Sequence, residues 1–514
     1  MTTSHSTLYR GGHVLSPAYP TATAIAFTGG LITWIGSDED APSADVTVDL
    51  DGCLMTPAFM DAHVHLTSTG SALSGPTLAE ARNATDMLDR VAEAVVDLPK
   101  TAIVIGAGWD ETEWTDPALP TPEQIARAVG GRRAYLSRTC GHTGIASPAL
   151  LLENPDLAGL EGYSDTGVLR LYAHRTARSV AGSSIPDEQR TDWQRIALRH
   201  AASLGLAALC ECGMPSEGTS IGEKDFTGLL ALSKAEPLPR VLGYWGELCA
   251  AVKARDLGAH ACGGDLSVDG SIGAHTAALR DRYIDEDTSG HAYLSASDVE
   301  QHIINCAGHG MQGGFHAIGD QAIANVIAGV AAAAQILGIE AVRAGRHRVE
   351  HAEMLDKQLI AGFVAFGLYA SVQPSFDARW GGADKMYSTR LGTERALASN
   401  PFGSLAGVGV PLALGSDTPV TPLDPWGGVA AAAYHHNPTQ RLSVNAAFAA
   451  HTRGGWRSTG DDSTGVLAPG SAATFAVWDR REAGLPDLAD GAPAPRCRRT
   501  VLDGTVIFDE ETVI

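Results

Sequence analysis

Positive charge is the first thing this chain is short of. Its 37 Lys and Arg face 59 Asp and Glu, a net charge of −22, and only six residues are lysine: Lys100, Lys224, Lys234, Lys253, Lys357 and Lys385. A surface this acidic offers no basic patch to phosphodiesters or anionic headgroups, which excludes nucleic acid and membrane as partners. Disulfide and CxxC chemistry are missing as well. The eight cysteines (Cys53, Cys140, Cys210, Cys212, Cys249, Cys262, Cys306 and Cys497) are scattered. A chain of 514 residues has core enough to fold without covalent staples. A reduced, cytoplasmic setting is therefore expected. The opening "MTTSHSTLYRGGHVLS" shows no basic segment ahead of an apolar one, so no signal peptide is expected. The most membrane-like run, "IANVIAGVAAAAQILGI" (323–339), carries Asn and Gln and reads as a buried helix. No solenoid-period repeat interrupts the chain.

What is present is a change of texture along the sequence. Residues 1–56 and 465–514 both read as short strands cut by Gly and Pro, such as "ATAIAFTGGLITWIG" and "RRTVLDGTVIFD". Strands of the same style at both ends predict one small β-sandwich built from the two termini. Between them, apolar strands alternate with helical stretches, the pattern of βα units. Eight strands are expected: 58–65, 206–211, 240–246, 264–269, 313–320, 346–353, 367–374 and 411–417. Eight such units predict an α/β protein with a distorted (β/α)₈ TIM barrel over 57–464. The gap between the first two strands is too long for one connection and holds its own strands, so 70–190 is expected to be an inserted subdomain.

Chemistry in such a barrel sits where strands end. "TPAFMDAHVHL" (56–66) ends the first strand with His63 and His65, two imidazoles on one strand face. His316 lies in "GGFHAIGD", His351 ends "RVEHAE" and Asp417 ends "LALGSD". Each has an ordinary alternative: a packed core histidine for His316, a His–Glu hydrogen bond for His351 beside Glu350, a helix cap for Asp417. Four separate strand ends carrying imidazole and carboxylate donors together point to a metal ion, and these donors suit zinc, manganese or iron. His435 and His436 in "YHHNP" are read as surface residues of a helix, and His200, His302 and His309 as helical.

The segments "PAFMDAHVHL", "DGSIGAHTAAL", "FHAIGDQAI", "RVEHAEML" and "LALGSDTPVTPLDP" resemble the amidohydrolase superfamily. More narrowly the chain resembles amidohydrolase family 3, the YtcJ-like metal-dependent hydrolases. "GAGWDETEW", "PTPEQI", "SRTCGHTGIASPAL" and "GVLAPGSAATFAVWD" carry the likeness over nearly the whole length. The resemblance implies metal ligation by His63, His65, His316, His351 and Asp417, with one or two divalent ions, zinc foremost. It also implies hydrolysis of N-acyl or N-formyl amines and a homodimer or larger assembly.

One departure stands out. Many superfamily members carry a carboxylated lysine on strand four that bridges two ions; here "GGDLSVDGS" places Asp265 there, and no lysine falls late in a strand. Asp265 has a much shorter arm. Glu211, ending the second strand, is the other carboxylate near the mouth, and Cys210 and Cys212 beside it are read as packing residues. Either carboxylate could bridge; a hydrogen bond to a metal histidine is the alternative. With neither, one ion on His63, His65, His316 and Asp417 is still complete.

The expected reaction is attack of a metal-activated water on an amide carbon, with Asp417 moving the proton and His351 binding metal or the oxyanion. Substrate contacts are expected from Trp109, Asp110, Trp114 and His142 in the insertion, His275 in "GAHTAAL", and Arg379 and Trp380 in "QPSFDARWGG". Deamination by a one-metal centre and a non-catalytic barrel are the competing readings.

Overall fold

The computed structural model describes residues 5–111, 114–138, 143–216 and 220–511. Two compact units divide the chain: Met1–His65 with Leu198–Ile514, and Leu66–Ala197. The first unit contains an eight-stranded parallel sheet, β1 (Phe59–Val64), β2 (Leu206–Gly213), β3 (Arg240–Trp245), β4 (Ala261–Cys262), β5 (Gln312–Ala317), β6 (Arg348–His351), β7 (Tyr369–Val372) and β8 (Leu412–Leu414), paired in that order. Val64 bridges Thr418 in parallel, and the Asp417 N–H donates to the His63 carbonyl at 2.8 Å. These links join the last strand's exit to the first, so the sheet closes as a (β/α)₈ barrel.

The strands are buried on both faces, their polar members Asp61, His63, Arg348 and Glu350 included. The membrane-like run forms the helix Asp320–Leu337 that follows β5. Its buried stripe, Ala322, Ile323, Val326, Gly329, Val330 and Ala333, recurs at helical spacing, as expected for a barrel helix lying on the sheet. Gly329 lets it approach the helix Ala296–Gly308 closely, since a Cβ there would sit 2.4 Å from the Ala296 carbonyl.

Strand four differs from expectation. It covers Ala261–Cys262 rather than 264–269, because Gly263 and Gly264 break the extended chain at φ 155° and 79°. A Cβ on Gly263 would lie 2.3 Å from the Gly314 nitrogen, so the kink crosses directly over β5. The chain then rejoins β5 by hydrogen bonds from His316 N to Leu266 O and from Val268 N to His316 O. Asp265 sits on the bend between.

Both chain ends build the small sandwich. One sheet pairs Leu31–Gly36, Ala24–Thr28, Ser6–Arg10 and Val46–Asp49; the other pairs His13–Val14, Leu54–Pro57, Phe475–Trp478, Cys497–Leu502 and Thr505–Asp509. Tyr9, Phe27 and Phe475 meet in its core. Trp478 faces the barrel, stacking edge-on against Phe59 and Trp426 while its indole N–H donates to Thr56 Oγ1 at 2.9 Å.

The second unit has its own four-stranded sheet, Val168–Arg170, Thr143–Ala146, Arg133–Arg138 and Ile103–Trp109 in order. Its core includes Leu78, Met87, Trp109, Trp114, Ile125 and Leu136.

Candidate metal centre

The ends of β1, β5 and β6, the bend after β4 and the turn after β8 converge on one point. Asp265 lies at its middle. Its Oδ2 is 3.1 Å from His65 Nε2; its Oδ1 is 3.4 Å from His63 Nε2, 3.4 Å from His316 Nδ1 and 4.0 Å from His351 Nε2. Asp417 Oδ1 is 3.1 Å from His65 Nε2 and 3.6 Å from His63 Nε2. Four donors held tetrahedrally at zinc bond lengths stand about 3.3 Å apart, so these separations suit a shared cation. Three of the atoms, His63 Nε2, Asp265 Oδ1 and Asp417 Oδ1, are buried and have no hydrogen-bond partner. Short contacts without hydrogen bonds are what donors aimed at a third body show, since buried polar groups otherwise pair with one another.

Proton positions agree. His63 Nδ1 lies 3.0 Å from Glu350 Oε2, His351 Nδ1 2.8 Å from Gln373 Oε1, and His316 Nε2 3.2 Å from the Gly270 carbonyl. Each of those nitrogens faces an acceptor and so carries the ring proton. In the neutral ring the opposite nitrogen, the one turned to Asp265, is the lone pair that can bind a metal. Glu350 is fully buried, and although burial works to raise its pKa, Arg348 and His63 hold it down at about 2. Arg348 grips both oxygens, Nε to Oε1 at 2.9 Å and Nη2 to Oε2 at 2.8 Å, and also binds Ala62 O and Ser371 Oγ. Its guanidinium lies 4.3 Å from the Tyr244 ring centroid. An arginine–glutamate pair in the barrel interior thus anchors His63 from behind.

Strand alternation explains part of this set. Arg348 and Glu350 share one face of β6, which a two-residue period foretells. His351 would fall on the opposite face, but it and Ala352 take positive φ of 69° and 49°, swinging the ring back to the mouth. Asp417 also has positive φ, 54°. The helix-cap alternative for Asp417 fails, since Asp424 caps the helix Pro425–Ala433. The Glu350–His351 alternative fails too, because Glu350 turns to His63.

Several expectations are corrected. Asp265 reaches the centre despite its short arm, because the glycine bend carries its backbone there. Glu211 does not join the donors: it lies on β2 between Cys210 and Cys212, which face inward to Arg348 and His63 at 3.5 Å each, so Glu211 leaves by the other face. Both thiols are pushed up to about 11 by burial, which suits packing rather than ligation. Trp109 is fully buried in the inserted unit, its indole N–H donating to Leu136 O at 2.9 Å, so it is a core residue and not a substrate contact. Asp110 pairs with Arg138. His142 lies outside the described residues. His275 has a carboxylate on each ring nitrogen, Asp285 and Glu286, at 3.0 Å. Trp380 stands edge-on to Phe376 at 4.9 Å, and Phe376 stacks on the His351 ring at 5.9 Å. Arg379 donates to the Val420 carbonyl and lies over Trp380. His435 is buried, not on a surface.

Two other groupings of donor residues fail the proton test. In Cys262, His302 and Cys306, His302 Nδ1 accepts from Cys249 N and its Nε2 faces Cys262 O. In Asp377, His435 and His436, His435 Nδ1 accepts from Asn437 N, so its neutral ring keeps the proton on Nε2, 3.1 Å from Asp377 Oδ1, although Nε2, His436 Nδ1 and Asp377 Oδ1 make no hydrogen bond.

Residues 46–508 match the amidohydrolase family. The putative amidohydrolase YtcJ of Bacillus subtilis (strain 168) is 25% identical, covering 90% of each chain. The protein LONG AFTER FAR-RED 3 of Arabidopsis thaliana is 27% identical over 90% of this chain and 85% of its own. The crystal structure of an uncharacterized metal-dependent hydrolase from Pyrococcus horikoshii OT3 superposes with a TM-score of 0.77 at 24% identity, covering 92% of this chain and 97% of that one, a likeness of fold. A match over this span, on a closed barrel whose strand ends gather lone-pair imidazoles and carboxylates, means that the chain belongs to the amidohydrolase family and is a metal-dependent hydrolase.

Proposed function

We propose that this chain hydrolyses a non-peptide C–N bond, the amide of an N-acyl or N-formyl amine, with zinc as its resident ion. A cation held by His63, His65, Asp265 and Asp417 supplies Lewis acidity and an acidified water at neutral pH. The observation that carries the reading is Asp417. Its Oδ1 stands among the donors, and its backbone N–H is tied to His63 O at 2.8 Å. A carboxylate fixed there accepts a proton from the attacking water and hands it to the departing nitrogen. Water oxygen bonds to the carbonyl carbon, the C–N bond breaks, and a carboxylic acid and a free amine leave. His65, whose side chain keeps 24% of its surface open, marks the accessible side of the centre. Phe376 and Trp380 beside His351 supply an apolar wall for the acyl or amine substituent.

The test is turnover of a panel of N-formyl and N-acyl amines by purified protein. Activity is expected to vanish on chelation, to return with Zn²⁺ and to be lost in His63→Ala, with acid and amine formed in equal amounts. Ammonia released from a cyclic amidine, with no amide cleaved, would replace this reading by a deaminase.

A further inference from the structure

Cys262 and Cys306 form a buried thiol pair that the hydrolytic chemistry does not use. Cys262 ends β4, and Cys306 lies on the helix Ala296–Gly308, one turn after His302. Both are fully buried, and their sulfurs lie within 4.8 Å of each other and of the His302 ring. His302 Nδ1 accepts from Cys249 N, and its Nε2 lies 3.1 Å from the Cys262 carbonyl and 3.5 Å from Cys306 Sγ. The imidazole thus presents an N–H to the pair and leaves the two sulfurs to each other. The Cys306 thiol donates to Cys262 Sγ, which holds the Cys262 pKa below its ordinary value against burial and raises that of Cys306. Burial pushes the thiols of Cys210, Cys212 and Cys497 up instead. The cover over the pair is thin. Cys262 Sγ is 3.4 Å from the Glu247 carbonyl, and on that same loop Leu248 and Cys249 are exposed, Cys249 at φ 54°.

We propose that Cys262 and Cys306 are a redox modification site, closed to a disulfide by a peroxide, and that closure disturbs the metal centre through the glycine bend. The Cys262 thiolate attacks one peroxide oxygen; an S–O bond forms, the O–O bond breaks and hydroxide leaves, taking up the proton that Cys262 gave up. The Cys306 sulfur then bonds to the Cys262 sulfur, the S–O bond breaks, and the oxygen departs as water with the Cys306 proton. Two thiols are oxidised and one peroxide is reduced to two waters. Cys262 immediately precedes Gly263 and Gly264, the bend that carries Asp265. A disulfide holds its sulfurs about 2.0 Å apart, closer than a hydrogen bond between thiols does, so closure pulls the end of β4 toward the helix. Asp265, set among His63, His65 and His316, moves with it. The thiol pair stands independently of the hydrolase reading; only its effect on metal rests on that reading.

Zinc-loaded protein, reduced and then exposed to hydrogen peroxide, tests this. Peptide mass spectrometry without reductant is expected to find Cys262 linked to Cys306 with the loss of two hydrogens, reversed by dithiothreitol. Zinc affinity, measured by competition with a chelator, is expected to fall about 10- to 100-fold on oxidation. Cys306→Ala, with turnover unchanged before oxidation, is expected to keep its affinity afterwards. Thiols that stay reduced, a link from Cys249 in place of this one, or sulfinic acid at Cys262 without a link would overturn the pair. A link that leaves zinc affinity unchanged, or an equal loss in Cys306→Ala, would overturn the coupling to the bend. Protein that forms the link but never binds zinc would remove the hydrolase reading and leave the thiol pair standing. Should Cys306→Ala fail to fold by circular dichroism, Cys306→Ser takes its place.

Discussion

At the scale of single residues, the most informative side chains are ones that touch no substrate. Glu350 fixes the proton of His63 on Nδ1 and thereby frees Nε2. In Glu350→Gln the amide can turn its NH₂ toward the ring, forcing the proton onto the nitrogen that faces the ion. Metal affinity, measured by competition with a chelator, is expected to fall about 10- to 100-fold, with the far-ultraviolet circular dichroism unchanged. His347 is a different case. Its Nδ1 accepts from Gly313 N at 2.9 Å, and burial lowers its pKa from 6.5 to about 4. The unfolded chain therefore binds more protons than the folded one between those values, and stability is lost as pH falls from 6.5 toward 4. The difference of about 2.5 units corresponds to roughly 3 kcal/mol. His347→Asn keeps an acceptor for Gly313 but cannot charge. Urea unfolding at pH 7 and pH 4 is expected to show a smaller loss on acidification for the variant than for the parent, by about that amount.

At the scale of elements, strand four decides the site. Its sequence "GGDLSVD" has the composition of a strand, which is why periodicity alone assigns one at 264–269. The pair Gly263–Gly264 instead makes a bend, and a glycine pair inside an apolar run is the only local sign of it. Gly264→Ala would force an L residue to φ 79° and set a Cβ 3.0 Å from Cys212 Sγ and from Tyr244 Cβ. A stability loss of about 1–3 kcal/mol is expected, together with weaker metal loading than in the parent, because Asp265 is the next residue. Thermal melts of apo protein and ion counts check the two effects separately. The histidines at the end of β1 were legible as an HxH pair closing a strand, although the strand ends at Val64 and its register shifts between Asp61 and Val64. His351 and Asp417 were legible as residue types but not as directions, since their positive φ breaks the two-residue period.

For the whole molecule, closure of the barrel and the joining of both termini are the long-range events. Trp478, from the end of the chain, packs against Phe59 at the start of β1 and against Trp426 beyond β8. Trp478→Ala removes this buried ring and should cost about 3–5 kcal/mol in urea unfolding. Trp478→Phe, which gives up the hydrogen bond to Thr56 but keeps a ring, should cost clearly less. The barrel, the sandwich and the strand-end donors could be read in advance because hydrophobic period and turn residues are local properties of the chain. The expectation for Trp109 failed because an indole beside acidic residues looks alike in a core and in a cleft.

By itself the sequence determined the barrel's elements, strand four excepted, and which residue types stand at the strand ends, because backbone period and residue chemistry are fixed before folding. Only the tertiary structure decided that Asp265 reaches four imidazoles, that Glu211 turns away and that Glu350 serves His63. Those outcomes depend on barrel closure and on positive-φ bends, which set side-chain directions among residues up to hundreds of positions apart.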